Sequence, residues 1–197
     1  GKLPFYRGRN VLNWALINDE KEFGITVHFI DENIDTGDVI LQKTFPISED
    51  DNYDTLLKTS YEQCPKLLLH ALELIIQNKV KVISQKSLNK TFMYCSKRIE
   101  GDEIINWENN SRDIFNFIRA LTNPGPCALT YSESEPVKII SSKFFRDAPK
   151  YKGIPGSVLQ INKDGFLVKT GDSYLQITKW DSQIKIYNGL RFYKKVI

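Results

Sequence analysis

Residues 25–45 read ITVHFIDENIDTGDVILQKTF. The two ends are β-branched and aromatic, the composition of strands with a side to bury. Between them stand four acids, Asp31, Glu32, Asp35 and Asp38, with a Thr and a Gly. The pattern predicts strand, acidic loop, strand, and the loop has three readings. It can be a tight turn, with Thr36-Gly37 supplying the bend and Asp side chains bonding backbone N–H groups. A calcium loop fits less well, because the alternating oxygen ligands and closing Glu of an EF-hand are missing. The third reading is a reactive carboxylate. Asp35 follows apolar Ile34 and precedes the turn, so its side chain can point into a cleft at a strand end, where a carboxylate orients a histidine or accepts a proton.

On the N-terminal side, LPFYRGRN (3–10) reads as a loop, and VLNWALIND (11–19) as a short helix. Arg7 and Arg9 flank Gly8, and a guanidinium fork suits a carboxylate or phosphate ligand as well as a surface role. On the C-terminal side Pro46 ends the second strand. From Thr55 to Lys79 the apolar positions Leu56, Leu57, Tyr61, Cys64, Leu67, Leu68, Ala71, Leu72 and Ile75 recur at helical spacing. Pro65 inside that run predicts a kink or the start of a second helix. Residues 80–106 look irregular. Ser111 is the expected cap of a helix whose Ile114, Phe115, Ile118 and Leu121 share a face, and Asn123-Pro124-Gly125-Pro126 stops it. Beyond it PVKIISSKFF, GSVLQI, GFLVKT and SYLQITKW are short β-rich runs, the texture of a small barrel or sandwich. The chain therefore reads as an α/β piece to about residue 126, then an all-β piece. The first piece opens in a loop with no βαβ unit ahead of it, so it reads as the second half of a larger sheet.

The 197 residues are 41% hydrophobic, the composition of a soluble globular protein. No apolar run approaches the roughly 20 residues of a membrane span, so no membrane association is expected. No secretory h-region is read in GKLPFYRGRN. Cys64, Cys95 and Cys127 are odd in number and widely spaced, which argues against disulfides and zinc and for a reducing, cytoplasmic home. Residues 1–126 carry 15 Lys+Arg against 18 Asp+Glu, whereas 127–197 carry 12 against 6, a local balance of +6. That basic part can face an anion or simply be a solvated surface. His28 and His70 lack partners at metal spacing and read as packed or half-exposed residues, and Cys64 as core filler. No metal site is expected, and neither a P-loop, G-x-G-x-x-G nor G-x-S-x-G is present.

The ordered series LPFYRGRN, NWAL, FGITVHFIDENIDTGDVI, FPI, KRIEGDEIINW and FIRALTNPGP resembles the folate-dependent formyltransferase family. This family includes methionyl-tRNA formyltransferases and sugar-nucleotide N-formyltransferases. Gly125 and Cys127 depart from its pattern, standing where an aromatic and a Gly are usual. The resemblance implies the C-terminal half of a Rossmann-like catalytic domain (1–80), a connecting segment and helix (81–126), and an OB-like β-barrel (127–197). It implies formyl transfer from N10-formyltetrahydrofolate to a primary amine, without a metal. Asp35 is then the catalytic Asp, and Arg9, Asp31, Glu32, Asn33, Ile34 and Asp35 line the folate site. The family's Asn-x-His precedes the LP.YRG segment, so both partners of Asp35 are expected upstream of Gly1. YRGRN followed by LNWALIN resembles the sugar branch, which points to a nucleotide-linked 4-amino-4,6-dideoxysugar, with Arg7, Lys97 or Arg98 facing its pyrophosphate. The basic C-terminal part favours the alternative, methionyl-initiator tRNA. A non-catalytic binding fragment is a reading of another class. The sugar branch is often dimeric, which leaves a homodimer open.

Overall fold

The protein, seen here in a computed structural model, is described over residues 1–88 and 91–194. The segments read as 81–126 and 127–197 thus each contain residues outside the described ones, 89–90 and 195–197. The fold is mixed α/β and divides into two compact units. The first is Gly1–Ala15 with Glu20–Arg98, and the second is Leu16–Asp19 with the chain from Ile99 onward. Helix α1 (Val11–Ile17) falls across that division.

In the first unit, β1 (Tyr6–Gly8) pairs in parallel with β4 (Met93–Cys95), so LPFYRGRN and the stretch after residue 80 are not wholly irregular. Their pairing is long-range, which local patterning cannot show. β2 (Glu22–His28) and β3 (Val39–Pro46) form the expected antiparallel pair, joined by the acidic loop. The ladder slips between Val27 and His28, which pair with Leu41 and Val39, so a β-bulge with Ile40 as its extra residue lies on β3 near the loop. Helix α2 (Tyr53–Ile76) packs on this pair. Asn52 caps it, accepting from the Asp54 and Thr55 amides while the Thr55 hydroxyl takes the Asn52 N–H. Pro65 lies inside one continuous helix rather than starting a second.

The apolar stripe of α2 is only partly buried. Leu56 and Ala71 are covered, whereas Leu68, Leu69, Leu72 and Ile76 are exposed. Cys64 is exposed too, not core filler, because among the described residues nothing covers that face. His70 is exposed, with Nδ1 3.6 Å from the Glu73 carboxylate.

In the second unit, five antiparallel strands run in the order β5 (Ala128–Ser132), β6 (Glu135–Lys143), β9 (Tyr174–Ser182), β8 (Gly165–Lys169), β7 (Val158–Asn162). The four β-rich runs of the sequence are β6 to β9, and β5 went unread. Among the described residues β5 and β7 do not pair with each other, and the five strands alone do not close a barrel, but residues 189–193 bond to both ends of the sheet, Tyr193 to Tyr131 of β5 and Leu190 to Val158 of β7. Helix α3 (Ser111–Leu121) packs against β5, β6 and β9 through Ile114, Phe115, Ile118 and Leu121. These meet a core of Val137, Ile139, Phe166, Leu175 and Ile177. Each such side chain, fully buried, contributes about 1.5–3 kcal/mol. Trp107 is buried in the same unit, stacks on Phe192 and donates from Nε1 to the Thr130 hydroxyl at 3.0 Å.

The cap of α3 is Asn110, whose side chain accepts from the Asp113 amide, and not Ser111. Ser111 is one place further in. Its N–H and hydroxyl both donate to Asp172 Oδ1, at 2.8 and 2.9 Å, and Thr170 adds a third donor at 3.2 Å. A carboxylate from the β8–β9 turn thus sits on the positive end of the helix.

Candidate functional site

The acidic loop closes on itself where β2 and β3 part, with the Phe29 amide donating to the Asp38 carbonyl at 2.9 Å. Within it Asp35 takes the left-handed conformation, φ 56°. That is uncommon outside glycine and is best tolerated by Asp and Asn. Gly37, expected to supply the bend, serves close approach instead. A Cβ there would lie 1.7 Å from the Phe29 carbonyl oxygen.

In this conformation Asp35 meets β1, distant in sequence, and the end of β2. Its Oδ2 accepts the Gly8 amide of β1 at 2.7 Å. Its Oδ1 lies 3.6 Å from Nε2 of His28, the residue just past the bulge. His28 Nδ1 is 2.8 Å from the Phe29 carbonyl. A carbonyl only accepts, so Nδ1 carries the hydrogen, and Nε2 carries one only in the imidazolium form. The carboxylate has one oxygen anchored by backbone and the other free to share charge with an imidazole, an arrangement suited to taking or steering a proton.

The loop backbone is held from below. Gln85, in a 3₁₀ turn (Gln85–Leu88), donates from Nε2 to the carbonyls of Asp35 at 3.0 Å and Gly37 at 2.6 Å. Its Oε1 accepts from Arg7 Nε at 3.3 Å and Nη2 at 2.8 Å. Arg7 is buried and its guanidinium packs 4.8 Å from the Phe92 ring centre. The anion-binding reading of Arg7 gives way to this internal role, because its fork is turned onto Gln85.

The other residues read as lining a folate pocket lie on the same loop but outward. Glu32, Asn33 and Ile34 are exposed, and Ile34, with Phe29 and Ile30, forms an apolar rim. Asp31 turns inward on its own loop, accepting from the Asn33 amide and the Thr36 hydroxyl. The Thr36 hydroxyl holds its carboxyl below the ordinary carboxylate value. Arg9 is exposed, with its amide on the Cys95 carbonyl. Lys97 is exposed and Arg98 half-buried. Among the described residues no cluster of three or more potential metal ligands occurs, and no helix is long and apolar enough to cross a membrane. Sequence reading missed Gln85, which lay in a stretch without periodicity, and the His28–Asp35 contact, which depends on how the loop folds back.

Two family models match this chain. The one described as formyl transferase covers residues 2–72, the whole acidic loop included, and the one described as formyl transferase, C-terminal domain, covers residues 99–195. The chain belongs to the formyl transferase family. Methionyl-tRNA formyltransferase of Pelotomaculum thermopropionicum is 35% identical over 181 residues, which cover 92% of this chain and 56% of that protein. This formyl transferase chain thus spans about half the length of the curated relatives it matches. WlaRD, a sugar 3N-formyl transferase solved with dTDP and 5-N-formyl-THF, superposes with a TM-score of 0.67 at 25% identity, over 94% of this chain and 64% of its own. An N-formyltransferase from Helicobacter canadensis shares the fold, with a TM-score of 0.68 at 24% identity, over 90% of this chain and 64% of that one.

Proposed function

We propose that the protein carrying this chain transfers a formyl group from N10-formyltetrahydrofolate to the primary amine of a nucleotide-linked amino sugar, with Asp35 in the catalytic group. The observation that carries this reading is the anchored carboxylate: Oδ2 on the Gly8 amide, Oδ1 facing His28. The amine attacks the formyl carbon, an oxyanion forms there, and the nitrogen sheds a proton before tetrahydrofolate leaves through N10. Asp35 suits the second task, by accepting that proton or by orienting and stabilising an imidazolium that does. By the family resemblance, the Asn and His that complete the group belong to sequence ahead of Leu3, with the oxyanion falling to their donors. The exposed rim of Phe29, Ile30 and Ile34 beside polar loop backbone fits a flat pterin with donors and acceptors at its edge. Asp31 to Asp35 and Arg9 are assigned to that donor site.

A sugar nucleotide is favoured by YRGRN and LNWALIN near the loop and by the likeness to WlaRD. Methionyl-tRNA is the second reading, supported by 35% identity to a methionyl-tRNA formyltransferase and by the excess of basic residues in 127–197. The OB-type reading of 127–197 and the divisions at 80 and 126 go with the same proposal, and the five short antiparallel strands support the first of these. A side-by-side assay of the full-length protein decides the acceptor. Formylation of a dTDP-linked amino sugar, with charged initiator tRNA left unmodified, is the expected outcome. The opposite pattern assigns the tRNA.

A further inference from the structure

Gln85 lies between the two stretches matched by family models and far in sequence from the acidic loop, yet it makes four hydrogen bonds in the first unit, two from Arg7 and one each to the carbonyls of Asp35 and Gly37. We infer that Gln85 is a positioning residue for Asp35. The inference rests on the proposed catalytic role of that carboxylate. An amide nitrogen has two hydrogens, and both are spent, one on the Asp35 carbonyl and one on the Gly37 carbonyl. The amide oxygen takes the Arg7 fork, which fixes which end of the amide faces the loop. A buried cation on the oxygen polarises the amide and strengthens its N–H donors. One of the two carbonyls belongs to Asp35 itself, the residue with φ 56°, and the other lies two residues on. Pinning both carbonyls fixes the direction in which the Asp35 side chain leaves the backbone, toward Gly8 and His28. Arg7, Gln85 and the loop therefore form one chain of contacts from a buried cation to the reacting carboxylate. Glutamate could not replace Gln85, because its oxygens would face two carbonyls.

The Gly8 amide donates to Asp35 Oδ2 and reports on this directly. In the full-length protein carrying Gln85→Met, which keeps the volume and removes the polar atoms, Gly8 amide exchange speeds up at least tenfold, while amides of the β2–β3 ladder keep their rates. Formyl transfer from N10-formyltetrahydrofolate falls by about ten- to a hundredfold in Gln85→Met, and Gln85→Glu behaves alike. In the Asp35→Asn background Gln85→Met changes the residual rate by less than about twofold, since a group acting through Asp35 has nothing left to position. Unchanged Gly8 exchange overturns the inference. So does an equal cost of Gln85→Met in both backgrounds, equal speeding of the ladder amides, or failure of both Gln85 variants to fold, any of which makes Gln85 a general structural residue. A near-normal rate for Asp35→Asn alone defeats the catalytic reading instead, and leaves the Gly8 exchange result to decide the clamp.

Discussion

Asp35 holds a left-handed backbone, φ 56°, and spends one carboxylate oxygen on a main-chain amide. Two neighbours make that geometry. Gly37 approaches the Phe29 carbonyl so closely that Gly37→Ala must push the loop open, since the new Cβ would fall 1.7 Å from that oxygen. The expected result is a loss of about 1–3 kcal/mol in urea unfolding and a large fall in formyl transfer. An unchanged unfolding midpoint contradicts it. His28 faces the other oxygen, so His28→Ala lowers the rate by about tenfold, roughly 1.4 kcal/mol. An equal rate in variant and wild type removes His28 from the site. From its residues alone the acidic loop read equally as an ordinary turn, and it was the family pattern of the surrounding motifs that singled out Asp35. His28 was not legible. Its contact with Asp35 is set by how the loop between β2 and β3 folds back, and no local pattern encodes that. Gln85 was invisible for a different reason. Its contacts span 78 residues to Arg7 and 48 to Gly37, and no local pattern encodes such a reach.

At the scale of elements, α3 shows what capping can and cannot reveal. A Ser before an apolar run was read as the cap, but Asn110 is the cap and Ser111 instead meets Asp172 from a distant turn. Burial works to raise the Asp172 carboxyl, yet the hydrogen bonds from Ser111 and Thr170 outweigh it and hold it below the ordinary carboxylate value. A depressed folded value means that the bonds stabilise the second unit above the unfolded value of about 4, and that this is lost as pH falls through the folded value. Asp172→Asn is therefore expected to melt lower than wild type at pH 7, with the gap closing in acid below about pH 4. A gap that widens in acid reverses the sign and rules the account out. The buried stripe of α3 was fully readable from periodicity, because α3 packs within the described residues. The stripe of α2 shows the limit of the same signal. Periodicity tells which side of a helix is apolar, and not whether anything in hand covers it, so Cys64 and Leu68 were read as core yet are exposed.

Over the whole molecule, the chain folds as two units that match two family models in order, and it spans 56% of the methionyl-tRNA formyltransferase it matches. The β-rich texture after residue 126 was legible from Gly and Pro spacing, but strand order and the bonding of residues 189–193 to both ends of the sheet were not, since ladder pairing is decided by contacts distant in sequence. The family resemblance went further than composition could, and the proposed catalytic role of Asp35 in the loop of the first unit rests on it. The most direct test of that placement is the steady-state rate of formyl transfer from N10-formyltetrahydrofolate by the full-length protein with Asp35→Asn, which keeps the shape of the side chain and removes its charge. A fall of about 10²- to 10⁴-fold with an unchanged melting temperature is predicted, whereas a near-normal rate contradicts the account.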